Sequence, residues 1–279
     1  MINKQRLKSA LTRIHEDENG RLYCSGRFID LGSGLHLSIA SGDETYGNLM
    51  RFLGEIHQDV WNLETIILRL DWQKELIAKG ELNDIMGSMF SACDIDLFHV
   101  QYRSLFNRIA KIIGLLTGRP GTLPESFRRL RNWIRKPENA GRIDNDLAEF
   151  VASCDWFLEL MSVRDSIVHR AGRTIVFPEK NRILFQVHED YKKRLHIPEI
   201  MFNENVVDFE LYAGMFVGYL LWYLEELSEI IERHVVMKKV GGDAQSYHSG
   251  LAMLRTWIER VCTIEPTAPS NNGMHPTPL

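Results

Sequence analysis

The chain has 279 residues, 44% of them apolar and 25% charged, with a formal net charge of −4. That length can bury a full core without staples, and the composition is that of a globular chain and excludes disorder over most of its length. The charge excludes a globally basic nucleic-acid coat protein, although a local basic patch stays open. The cysteines at 24, 93, 154 and 262 match no zinc or redox spacing and read as reduced thiols of a cytoplasmic protein. Met1 to Leu11 is polar, unlike a secretory signal. The longest uncharged apolar run, Leu211 to Leu224, is 14 residues, short of the roughly 20 that span a membrane, so no membrane association is expected.

In chain order, residues 1–20 are polar and read as a short helix or an ordered tail. Arg21–Cys24, Arg27–Leu31 and Leu35–Ala40 are short runs set apart by Gly and Ser, the pattern of small strands and tight turns. These make up an N-terminal segment, 1–47. From Asn48 the pattern is helical. Leu49, Leu53, Ile56, Val60, Leu63, Ile67 and Leu70 alternate steps of four and three, a heptad seam that Gly80 stops. Leu82, Met86, Met89 and Cys93 open a second helix, continued on a shifted stripe by Phe98, Tyr102, Leu105, Ile109, Ile112 and Leu116. The five-residue step from Cys93 to Phe98 predicts a slight bend near Asp94 and Asp96. Gly118 to Gly121 breaks the chain.

Phe127, Leu130, Trp133 and Ile134 give a short helix over about 124–136, followed by a loop to Ile143. Asp144 is the expected N-cap of one helix reaching about Arg170, where Ala171-Gly172 ends it. Thr174–Phe177 and Arg182–Val187 flank Pro178 to Asn181 as a β-hairpin. Residues 189–205 read as an irregular connection, Val206 to about Val235 as a very apolar helix, and Leu251, Leu254, Ile258 and Val261 as a last one. The Pro- and Asn-rich stretch 264–279 reads as a disordered tail. The predicted fold is mainly α: a bundle of five to six helices over 48–263, with a hairpin insertion at about 173–187.

Function must come from particular residues. Arg164, Asp165, His169 and Arg170 crowd ionisable groups at the end of an amphipathic helix. On an ideal helix Arg164 and His169 lie about 140° apart and about 7.5 Å along the axis. Two long side chains can still reach a common point beyond the helix end. Arg with His suffices chemically for metal-free cleavage of an RNA phosphodiester. The imidazole moves a proton at the 2′-hydroxyl or the leaving oxygen, and the guanidinium forks onto the phosphate and stabilises added negative charge. Asp165 is placed to orient the imidazole or a neighbouring arginine. The bland reading pairs Arg164 with a bundle carboxylate and sets His169 at the helix C-terminus, where a cation suits the dipole.

Arg164-Asp165-x-x-x-His169, at the end of a helix in a helical chain, resembles the signature of the HEPN superfamily. The resemblance covers residues 157–170 by motif and 48–262 by architecture. It implies a compact helical bundle, commonly dimeric, and in many members a metal-independent RNA endonuclease of toxin–antitoxin, phage-defence or RNA-processing systems. It assigns His169 to acid–base chemistry, Arg164 to the scissile phosphate and Asp165 to orientation, and needs no cofactor. It also implies a homodimer, with RNA and an antitoxin or other protein as partners. Some members only bind, so a non-catalytic module holding a protein or RNA is the alternative.

Residues 100–142 carry ten Lys or Arg against Glu125 and Glu138, a net of +8, the pattern of an RNA-backbone footprint. Arg128, Arg129, Arg131, Arg135 and, beyond the motif, Arg170 are the expected phosphate contacts. Trp133 is either a stacking face or a core side chain. Asp94, Asp96 and His99, and the pair Glu55 and His57, lack metal-ligand spacing and read as surface polar groups. His188 and His196 lie on the connection after the hairpin.

Overall fold

A computed structural model describes residues 2–32, 36–38, 44–118, 121–169, 174–179, 182–187, 198–203, 205–235, 237–239, 243–247 and 250–265. Among them are nine α-helices and eight short strands, so the fold is mainly α. No helix among the described residues is long and apolar enough to cross a membrane. The tail 266–279, Ala171-Gly172, Arg170, His188 and His196 lie outside the described residues.

The heptad seam becomes α3 (Glu44–Ala78), and α4 follows as Asp84–Leu116. The two are antiparallel: Gln73 meets Asp94, Asp59 meets Gln101 and Glu55 meets Arg108. Leu53, Ile56, Leu63, Ile67 and Leu70 of α3 are buried as predicted. On α4 the expected seam is wrong in its first half. Met86, Met89 and Cys93 are exposed, and Gly87, Ser91, Asp94, Ile95 and Phe98 face inward. The five-residue step is a change from the outer stripe to the inner one, within one unbroken helix.

At the centre lies α8 (Phe209–His234), in which 19 residues are buried. Asp208 caps it, accepting from the Glu210 and Leu211 amides. Gly214 lets α9 (Leu251–Thr263) approach at backbone distance, since a Cβ there would meet the Trp257 carbonyl carbon at 2.7 Å. Helix α1 (Lys4–Leu11) lays Leu7 and Ala10 into the same core.

The N-terminal segment holds a hairpin, β1 (Ile14–Glu16) with β2 (Leu22–Cys24). Strand β3 (His36–Ser38) pairs antiparallel with β8 (Met237–Lys239). Between them the strand expected at 27–31 is instead a helix, α2 (Arg27–Gly32). The reason lies 198 residues away: the buried Glu225 carboxylate accepts the amides of Arg27 and Phe28, satisfying a helix start. Gly26, at φ +133°, leaves the room that carboxylate occupies.

The predicted hairpin is present as β4 (Val176–Glu179) and β5 (Arg182–Gln186). It belongs to a four-stranded antiparallel sheet, order β4-β5-β7-β6, completed by β6 (Met201–Asn203) and β7 (Val206–Asp208). The helix expected from Val206 starts instead at Phe209, and within the connection expected to be irregular over 189–205, Pro198–Ile200 is a helical turn and Met201–Asn203 is β6, while 189–197 and 204 lie outside the described residues. Phe185 pins the sheet to the bundle through the rings of Tyr212, Phe209 and His99.

The single helix expected over 144–170 is two. Helix α5 (Phe127–Ile134) leads to α6 (Asn145–Ser153) and then α7 (Phe157–His169). Cys154 leaves helical geometry at ψ 62°. Arg6 donates to the Ser153 carbonyl and to Asp155, and Trp156 packs against Tyr102, Phe106, Phe216 and Tyr219. Burial of an indole and a tether from α1 outweigh local helix continuation.

Candidate functional site

Helix α5 sits where it does because Phe127 wedges between Phe106 and Phe157, both ring centroids 4.9 Å away. Leu130 is buried beside it, so Arg128 and Arg129 point outward. Successive helix positions differ by about 100°, so these two arginines face different ways. Arg128 reaches α7, donating from Nη1 to Asp165 Oδ2 at 2.6 Å. Arg129 lines a groove of 780 Å³ with Asn107, Lys111, Leu123, Glu125 and Trp133.

On α7 the motif is partly assembled. Arg164 Nη1 donates to Asp165 Oδ1 at 3.1 Å, so Asp165 bridges two guanidinium groups. The Arg164 side chain is only 12% exposed, and its Nε is buried with no acceptor among the described residues. A cation so placed has one edge held by a carboxylate and another with hydrogen-bonding capacity to spare. His169 is the last residue of α7; its side chain lies outside the described residues. The register sets position 169 one turn beyond Asp165, an i,i+4 relation on one face.

The basic stretch is less open than its sequence implies. Arg108 is taken up by Glu55 and Asp59, Lys111 lies 3.6 Å from Glu125, and Lys136 lies 3.7 Å from Glu138. Burial and the neighbouring arginine charge push the Asp59 carboxyl in opposite directions; burial dominates and raises it to about 6. Arg131 is corrected as a phosphate contact. It is 3% exposed, and burial first, then the charge of Arg135, lower its proton affinity. Arg129 and Arg135 are exposed and have no ion-pair partner among the described residues. Trp133 is half-buried, packed against the core on one side and lining the groove on the other.

The reading of Asp94 and His99 as surface groups is also corrected. His99 is fully buried between the Ile95 carbonyl and the Tyr212 hydroxyl, and burial lowers it to about 4. Asp94 is 1% exposed, held by Gln73 and paired with Arg69. Asp96 accepts from Thr174, which ties the chain after the motif back to α4. Glu55 pairs with Arg51 and Arg108, and His57 stacks on Phe28.

One grouping escaped the sequence because its members are far apart. Asp144, Asp146 and His234 bring ligand-type atoms within 4.8 Å of one another. His234 Nε2 lies 3.0 Å from Asp146, and Arg233 lies 3.5 Å from the same carboxylate. That is an ion-paired start to α6, with a cation already in place. Comparison with protein families, with curated proteins and with solved structures finds no match for this chain.

Proposed function

We propose that the chain is a HEPN-like, metal-independent RNA endonuclease. The observation that carries the reading is the Arg128–Asp165–Arg164 relay at the end of α7, which links the motif to the exposed arginines of α5. In this reading Arg164 holds the scissile phosphate, with its charge placed by Asp165. His169 takes the 2′-hydroxyl proton and returns one to the leaving oxygen. Arg128, Arg129 and Arg135 supply backbone contacts, with Arg170 as a further one.

The groove favours a second reading, a module that binds RNA or protein without cutting. Arg129, Lys111 and the half-buried Trp133 line it, the residue types that a stacking and phosphate surface would require. One experiment separates the two. Wild type and His169→Ala are induced in a bacterial host, and RNA integrity and helicity are measured. Wild-type cleavage that falls at least a hundredfold in the folded variant supports the enzyme. Cleavage by clean preparations that survives the change overturns it, and intact RNA bound equally by both selects the binding module.

A further inference from the structure

The exposed side of α4 carries a second heptad series. Met86, Phe90, Cys93, Leu97 and Val100 step by four, three, four and three residues and are all exposed. Ile85, 76% exposed, and Met89 widen the stripe at one end. Strand β4, at one edge of its sheet, packs alongside α4, and Ile175, just before it, and Phe177 within it are exposed as well. None of these positions is charged. The charged groups within this stretch are engaged elsewhere: Asp94 with Arg69 and Gln73, Asp96 with Thr174.

Size and spacing identify the occupant. These apolar side chains expose on the order of 700 Å², at or above the ~300–600 Å² of the largest patch on an ordinary monomer. They approach the ~800 Å² that each partner contributes to a standard interface. A 4-3 repeat over two heptads is the seam that another helix with the same repeat fills. An uncharged face offers no complement to a nucleic-acid backbone or a charged peptide.

We propose that a second copy of this chain packs antiparallel across α4, about a two-fold axis at Cys93. Cys93 is the midpoint of the stripe, so this axis sets Met86 against Val100 and Phe90 beside Leu97 of the other copy, a self-complementary contact. The direction follows from charge. The next turn of α4 carries Arg103, half-buried and without an ion-pair partner among the described residues, whereas Arg108 and Lys111 beyond it are paired with carboxylates of their own chain. A parallel pairing would set Arg103 beside its copy, whereas the antiparallel one sends the two to opposite ends. The inference rests on α4 and β4 alone and stands apart from the ribonuclease reading.

The test uses the full chain at micromolar concentration, with sedimentation for mass and a short bis-maleimide as a probe of Cys93. Cys93 is the exposed cysteine, while Cys24 and Cys154 are buried and Cys262 is half-buried. A dimer that crosslinks at Cys93, and loses the crosslink in Cys93→Ser, is the expected result. Leu97→Glu should raise the dimer Kd about a hundredfold or more, since it buries an unpaired carboxylate. Its side chain is exposed, so the monomer's helicity should hold, while Tm at micromolar concentration should fall only by what the dimer contributed; Phe90→Glu is the second such variant. A monomer throughout the range overturns the proposal, as does a dimer that persists in both variants. A dimer broken by them but never joined through Cys93 overturns the antiparallel register.

Discussion

The two halves of α4 are built on opposite plans. Its first half carries polar groups inward, Ser91, Asp94 and His99, and apolar ones outward, Met86, Phe90, Leu97 and Val100. Its second half packs Leu105, Phe106, Ile109, Ile112 and Ile113 inward and keeps Arg103, Arg108 and Lys111 half-buried at its margin, with Arg108 held by Glu55 and Asp59 and Lys111 beside Glu125. Inward polarity is sustained only by specific partners. Gln73 and Arg69 hold Asp94, and the Tyr212 hydroxyl and Ile95 carbonyl hold His99. The inward apolar half needs only shape. One helix thus exposes an uncharged apolar stripe at one end and carries half-buried, largely ion-paired cations at the other.

The comparison breaks hardest at Phe106, whose ring meets Tyr102, Phe127, Trp156, Phe157 and Tyr223. Phe106→Ala should lose about 3–5 kcal/mol in urea unfolding, the transfer and cavity cost of a buried ring. A loss below about 1 kcal/mol would mean the aromatic cluster is not the core of that half.

The polar half should reveal itself through pH. His99 is held at about 4 in the fold, against 6.5 when unfolded. As pH falls from 7, the unfolded chain takes up the proton first, so stability present above about 6.5 is lost as pH falls toward 4. Between pH 7 and 5 this should amount to about 1–2 kcal/mol. His99→Gln should flatten that slope, measured as unfolding free energy at each pH. An unchanged slope would place the titration on another group.

The smallest effect sharpens the solvent side. Arg129→Glu touches no buried contact and should shift stability by no more than about 0.5 kcal/mol. Because the groove then loses a cation and gains an anion, its salt-dependent retention on a polyanion column should drop. Undiminished retention would remove the groove from any phosphate-binding role.

Much of the fold was legible in local pattern. The 4-3 seam of α3, the short amphipathic α5, the long apolar α8 and the hairpin at 176–186 all follow from the spacing of apolar residues. Periodicity failed where it could not choose between two stripes on one helix. Met86, Met89 and Cys93 have the spacing of a core seam and face solvent, because Asp94 and His99 found buried partners on α3 and α8. It failed again at residues 27–31, where a carboxylate on α8 turns a strand-like run into a helix start, and at Cys154–Trp156, where an indole sinks into the core.

The candidate site divides in the same way. Arg164, Asp165 and His169 were readable as a cluster because they share one helix end. That Arg128 closes on Asp165, that Arg131 is buried and that Arg129 opens into a groove were not readable. The sequence alone determined the helical class, the positions of most helices and the residue types of the motif, since these depend on neighbours within a few turns. Tertiary structure alone decided which stripe of α4 is core, which arginines are free to meet a ligand and where α6 gives way to α7. Each of those depends on the burial and hydrogen-bond partners supplied by residues remote in the chain.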